Sequence, residues 1–209
     1  MIARKAAKAL AVLPLLYAVS QPAHAAKTET AIFAGGCFWC IESDFDKIDG
    51  VLETTSGYTG GRTENPTYKQ VSAGGTGHIE ALEVKFDPAK VSYEELLTAF
   101  WHSVDPTDAG GQFCDRGESY QTTIFATSPA QLKKAKASKK ALEKSGETNR
   151  PIVTPIRTAS TFYDAEDYHQ NYYEKNPIRY KYYRYRCGRD QRVKEVWGPN
   201  AYKGIPGEH

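Results

Sequence analysis

Gly35 and Gly36 separate two stretches of opposite periodicity. Before them, "TETAIFA" is the short apolar run of a strand. After them, Phe38, Ile41, Phe45 and Ile48 recur at helical spacing, and Gly50 stops the run. A strand therefore turns sharply into a helix, and Cys37 is the first residue past the turn. A sulfur there meets unpaired helix N–H groups and the positive end of the helix dipole, which favours thiolate and predicts a lowered pKa. Cys40 follows three positions on, with the bulky Phe38 and Trp39 between.

The rest of the chain alternates element types without strict βαβ repetition. "VLETTSGYTGG" reads as a strand running into a loop, and "RTENPTYKQVSAGGTG" as a turn-rich stretch. "HIEALEVKFDP" alternates as a strand does, and "SYEELLTAFWHSV" opens with the capping box Ser92–Glu95 of a helix. A second long polar loop, "DPTDAGGQFCDRGESY", precedes the strand "QTTIFA". The next helix has Ser128 as cap, Pro129 in its first turn, Gln131 completing a box and Gly146 as its stop. A strand around "IVTPIRTA" follows, and then a long irregular C-terminal segment with eight tyrosines between 163 and 185. This mixture predicts an α+β sandwich around a β-sheet, not a doubly wound parallel one.

The N-terminus carries its own signature. Arg4, Lys5 and Lys8 precede the apolar run "ALAVLPLLYAV", and "AHA" ends at Ala25. This is the layout of a secretory signal over residues 1–25, with the run too short for a membrane span. Removing it takes three of the 27 basic residues and none of the 25 acidic, leaving 24 against 25. A near-neutral chain has no electrostatic support for a nucleic-acid or membrane-surface role. Residues 26–209 then form a single domain, periplasmic or secreted, with enough length for a sizeable core.

All four cysteines (Cys37, Cys40, Cys114 and Cys187) lie past the signal. Export to an oxidising compartment suggests two structural disulfides in one of three pairings. Against that, a domain of this size needs no staple, and the Cys37–Cys40 spacing is that of a redox motif. A zinc site would want paired short spacings, which Cys114 and Cys187 lack.

Glu80 is the second unusual residue. In "HIEALEVKF" it is in phase with Leu82, Val84 and Phe86, opposite Glu83 and Lys85. On that side its carboxyl is desolvated, its pKa rises and it becomes a proton donor near neutrality. Near the strand's start it has an equally open alternative, reaching solvent.

"GCFWC" with Glu42, "GYTGG", "NPTY", "GHIEAL", "DPTDAGGQFCDRGESY" and "FYDAEDYHQNYYEKNP" occur in this order along residues 36–177. On these motifs the chain resembles the type A peptide methionine sulfoxide reductases over residues 30–190. The resemblance implies a two-layer sandwich with a mixed sheet and a ferredoxin-like core. It also implies a peptide-methionine (S)-S-oxide reductase acting on oxidised proteins or free methionine-S-sulfoxide. Carried over residue by residue, Cys37 is the nucleophile and Glu80 the general acid. Tyr68 and Tyr120 hydrogen-bond the sulfoxide oxygen, Asp115 lies in the same polar lining, and Phe38 and Trp39 hold the substrate methyl.

The expected chemistry leaves sulfenic acid on Cys37, which a second thiol converts to a disulfide for an external dithiol to reduce. The resolving candidates are ordered Cys187, Cys40, Cys114. No cofactor or metal is expected. The expected partner is a thioredoxin-like reductant and the expected assembly a monomer. Three rival readings remain. One is a thiol–disulfide oxidoreductase using Cys37 and Cys40. Another is a cysteine acyl hydrolase pairing Cys37 with His78 or His169, and the third a non-catalytic binding protein stapled by two disulfides.

Overall fold

The computed structural model describes residues 28–207. The secretory signal expected at 1–25 lies outside the described residues. Four strands and two helices make the frame: β1 (Glu29–Ala34), α1 (Phe38–Phe45), β2 (Val51–Thr59), β3 (Ile79–Phe86), a helix at Tyr93–Trp101 and a strand at Thr123–Ala126. Between β2 and β3 lies α2 (Tyr68–Ala73), which makes the helix at Tyr93–Trp101 α3. A two-residue hairpin, β4 (Gly111–Gln112) and β5 (Asp115–Arg116), precedes the strand at Thr123–Ala126, numbered β6. Beyond it come α4 (Pro129–Ser145), β7 (Ile156–Thr158) and β8 (Tyr163–Asp164). The chain continues through α5 (Tyr172–Lys175), α6 (Pro177–Cys187) and α7 (Arg189–Trp197).

The main sheet has the order β7-β6-β1-β3-β2-β8. Its neighbours are antiparallel except β6 and β7, which run parallel, so the sheet is mixed. The inner four strands with α1 and α3 form the split βαββαβ unit expected. Alternation along the strands builds two cores. Ala31, Phe33, Leu82, Val84, Phe86 and Ile124 face the helices, packing on Phe45, Leu96, Leu97, Phe100, Val193 and Trp197. The opposite face carries Ile32, Ala34, Ile79, Ala81 and Phe125 under Ala159 and Phe162. No helix among the described residues is long and apolar enough to cross a membrane.

Several local readings change. The stretch read as turns contains α2, whose box has Thr67 N–H donating to Gln70 Oε1 at 2.9 Å; six residues are too few to show a helical period. The box expected at α4 is half made. Ser128 Oγ accepts the Gln131 N–H, but Gln131 Oε1 takes the Thr127 N–H at 3.1 Å, and its Nε2 ties α4 to the Thr30 carbonyl at 2.8 Å.

The largest change is the C-terminal segment, which is helical where irregular chain was expected. Pro177 sits in the first turn of α6, and Gly188, in the left-handed region at φ 68, ends it and begins α7. The polarity of α6 is inverted: Arg184 is buried while Ile178, Tyr182 and Tyr185 are exposed. Arg184 is held inside by Asp44 at 2.8 Å, Asp190 at 2.7 Å and the Tyr180 hydroxyl at 2.8 Å. Periodicity read from apolar residues cannot find a helix that buries an ion-paired arginine.

Candidate active site

The glycine pair fixes the start of α1. Gly36 has φ 82, and a Cβ there would stand 2.6 Å from Gln112 Cβ, so the close approach of the β4 strand requires glycine. Cys37 is the N-cap of α1, and its carbonyl accepts the Cys40 N–H at 3.1 Å. Both thiols are buried, at 7% and 2% exposure, and both are free. They share a hydrogen bond that sets their charges. Burial, then the bond to Cys40, pushes the Cys37 thiol well up, whereas that bond, helped by Arg189 and Arg184, pulls Cys40 down. The lowering expected at Cys37 is thus found at Cys40. Desolvation at this closed turn outweighs the helix dipole at Cys37, while at Cys40 the hydrogen bond from Cys37 is the largest cause, with the buried cations assisting.

Glu80 takes the buried alternative. It is 2% exposed and accepts the Phe38 N–H at Oε2 at 3.1 Å. Its carboxyl is pushed up to about 8, first by burial and then by Asp115 and Cys40, against the Phe38 and Tyr120 hydrogen bonds. A neutral acid thus stands over the first turn of the helix that Cys37 caps. Tyr120 lies in hydrogen-bonding reach of both Glu80 and Tyr68, and burial raises both phenols. Three segments distant in sequence therefore meet around one point. Asp115 borders them, but its carboxylate accepts the Tyr183 hydroxyl and lies 3.8 Å from Cys187 Sγ.

Phe38 and Trp39 belong to an aromatic wall. The Trp39 ring stacks on Tyr172 at 3.7 Å between centroids, and its Nε1–H donates to His169 Nδ1 at 3.0 Å. His169 in turn touches Phe38 at 4.9 Å and Tyr68 at 4.5 Å. Burial pushes its pKa down to about 4, so it stays neutral. Its ring centres the wall and offers Cys37 no base. His78 is likewise committed, with one nitrogen against the Thr63 carbonyl at 2.7 Å and the other accepting the Gly61 N–H. Both partners required by the acyl-hydrolase reading are spent on structure.

Cys114 and Cys187 form a disulfide with an S–S distance of 2.10 Å. One bridge with two free thiols differs from the two staples of the binding-protein reading. Tyr183 stands between the two cysteine pairs, packed against Cys37 and Cys40 on one side and 4.0 Å from Cys187 Sγ on the other. Sequence reasoning passed over Tyr183, Arg184 and Arg189. Arg189 is fully buried, donating to the Gly35 carbonyl at 3.2 Å and the Ser103 carbonyl at 2.9 Å, although its setting reads as basic surface.

Residues 29–201 match the family model described as peptide methionine sulfoxide reductase. The peptide methionine sulfoxide reductase MsrA 2 of Rhizobium meliloti is 54% identical over 88% of this chain and 91% of its own. The crystal structure of Mxr1 from Saccharomyces cerevisiae in reduced form has a TM-score of 0.69 at 33% identity, covering 74% of this chain and 89% of that one. Mxr1 in complex with Trx2 aligns with a TM-score of 0.50 at 26% identity, covering 74% and 91%. On this match over most of its length, the chain belongs to the peptide methionine sulfoxide reductase family.

Proposed function

We propose that the protein is a peptide-methionine (S)-S-oxide reductase that repairs methionine-S-sulfoxide, free or within oxidised proteins. The observation that carries this reading is Glu80. A buried carboxyl at about 8, bonded to the N–H next to the nucleophile, is a proton donor at neutral pH. In a simple thiol–disulfide oxidoreductase the Tyr68 and Tyr120 hydroxyls gathered beside it would have no role.

In the proposed reaction Phe38 and Trp39 hold the substrate methyl, while Glu80, Tyr68 and Tyr120 hydrogen-bond the sulfoxide oxygen. Cys37 attacks sulfur as its proton passes along the shared hydrogen bond to Cys40, whose pKa that bond, helped by Arg189 and Arg184, lowers. Glu80 protonates the oxygen, methionine leaves, and Cys37 carries the hydroxyl as sulfenic acid. Cys40 is one helical turn away and condenses first, expelling water and forming Cys37–Cys40. Cys187, placed first by the sequence reading, follows it in this proposal, because it is bonded to Cys114 and is reached past Tyr183. Exchange with reduced Cys114 and Cys187 returns the free thiols and leaves Cys114–Cys187 oxidised, the arrangement described above.

The signal layout of residues 1–25 supports export to the periplasm or beyond, where the protein would act as a monomer. There the second substrate is a thioredoxin-like dithiol. Turnover of the two separated sulfoxide epimers by wild type and Cys37→Ser tests the reading. Only the S epimer should react, and only with Cys37 present. Undiminished repair by the serine variant would end it.

A further inference from the structure

The disulfide is asymmetric. Cys114 occupies the two-residue turn between β4 and β5, with Phe113 before it in the left-handed region at φ 56. That turn is pinned from below. Gln112 exchanges hydrogen bonds with Asp105, its Oε1 accepting the backbone N–H and its Nε2 donating to the carbonyl, both at 2.8 Å, and Phe113 lies under the Arg189 guanidinium at 4.8 Å. The result is an exposed Cys114 on a fixed hairpin and a half-buried Cys187 at the inner end of α6.

The chemistry of the two sulfurs differs in the same direction. Cys187 Sγ accepts the Cys114 backbone N–H at 3.2 Å, a donor that stabilises negative charge on that sulfur. Asp115 Oδ2, which accepts the Tyr183 hydroxyl, lies 3.8 Å from Cys187 Sγ, so that sulfur faces a hydrogen-bonded polar pair. No backbone N–H is seen donating to Cys114 Sγ among the described residues. In thiol–disulfide exchange the better-stabilised sulfur leaves, and the accessible one is attacked.

We propose that the external dithiol attacks Cys114, and that Cys187 is the leaving sulfur. This rests on the reductase reading above. The attacking thiolate of the partner forms a bond to Cys114 Sγ, the Cys114–Cys187 bond breaks, and Cys187 departs with the electron pair, held by the Cys114 N–H, and takes a proton from solvent. The partner's second thiol then attacks its own sulfur in the mixed disulfide and releases Cys114 as a thiol. Two electrons enter, and Cys187 is left reduced on the Tyr183 side, facing the Cys37–Cys40 pair. The hairpin is thus the outer contact of the relay and the α6 terminus its inner contact.

The test traps the intermediate. Oxidised full-length protein is mixed with a thioredoxin whose second active-site cysteine is serine, and the adduct is located by peptide mass mapping. Attachment at Cys114 is expected. Attachment at Cys187, or no adduct with a chain that intact thioredoxin does reduce, overturns the proposal. The ratio of thioredoxin-driven to dithiothreitol-driven turnover should fall roughly tenfold or more in Cys114→Ser, since exchange then lacks its accessible sulfur; an unchanged ratio also overturns it. A methionine burst from wild type reduced with dithiothreitol reports separately on the reductase reading, because the trapping needs only the disulfide.

Discussion

Phe38 N–H donates to Glu80 Oε2 at 3.1 Å, so the first amide of α1 and the buried acid of β3 hold each other. This bond places the proton donor against the backbone of the very turn that carries the nucleophile. It also explains why a carboxyl with 2% exposure persists inside an apolar strand face. Its hydrogen bonds offset part of the burial cost.

Glu80→Gln keeps an acceptor for Phe38 and removes the proton. Activity is expected to fall by about 10²-fold or more, the usual loss when a general acid is removed. In wild type the rate should fall as pH rises through about 8, where Glu80 ionises. Stability follows the same sign. The folded value lies above the roughly 4.3 of an unfolded glutamate, so the stabilising share is complete below that pH and lost as pH rises through the folded value. Melting temperatures at pH 6 and pH 9 should therefore differ less in the variant; an equal difference would contradict the buried acid.

Cys40→Ser should let sulfenic acid accumulate on Cys37 after one turnover, read as a dimedone adduct by mass spectrometry. Cys187→Ser should still form Cys37–Cys40 at once. A Cys40→Ser protein that closes Cys37–Cys187 as fast as wild type closes its first bridge would restore Cys187 to first place.

His169→Ala leaves the half-buried Trp39 Nε1–H without its acceptor. A loss of about 1–3 kcal/mol is expected from the unpaired donor, with a rise in KM larger than the fall in kcat as the wall loosens. His169→Asn, which keeps an acceptor near Nδ1, should restore most of both. Because burial depresses the His169 pKa to about 4, its stabilising share is present above roughly 6.5 and is lost as pH falls towards that folded value. Acid unfolding of His169→Asn should therefore begin at lower pH.

Asp44→Ala strands Arg184 in the interior, where Asp44 now meets it at 2.8 Å. Removing one partner of a buried pair costs about 3–5 kcal/mol, which a urea midpoint would register. A change within error would mean that Asp190 and Tyr180 suffice.

The parts of the fold that are local in origin are legible in the sequence. The glycine turn before Cys37, the Ser92–Glu95 box and the alternation of β3 each arise within a few residues, and the structure reproduces them. Glu80's side was legible too, though only the covering helices decide that its end of the strand is closed. What pattern cannot carry is inverted polarity. Arg184 and Arg189 read as solvated charge because their partners Asp44, Gly35 and Ser103 come from three remote segments. Tyr183 was hidden among similar tyrosines, and the pairing of Cys114 with Cys187 spans 73 residues. The direction of the thiol shifts failed because it depends on how tightly the turn is buried and on the hydrogen bond between the two thiols, with the remote Arg184 and Arg189 assisting only at Cys40.

Arg189 donates to the carbonyl of Gly35, and so closes the nucleophile's turn with a residue 154 positions downstream. During synthesis that turn stays unfinished until Arg189 has emerged. Reducing power is thus withheld from the nascent chain, and the catalyst becomes competent only as α7 docks.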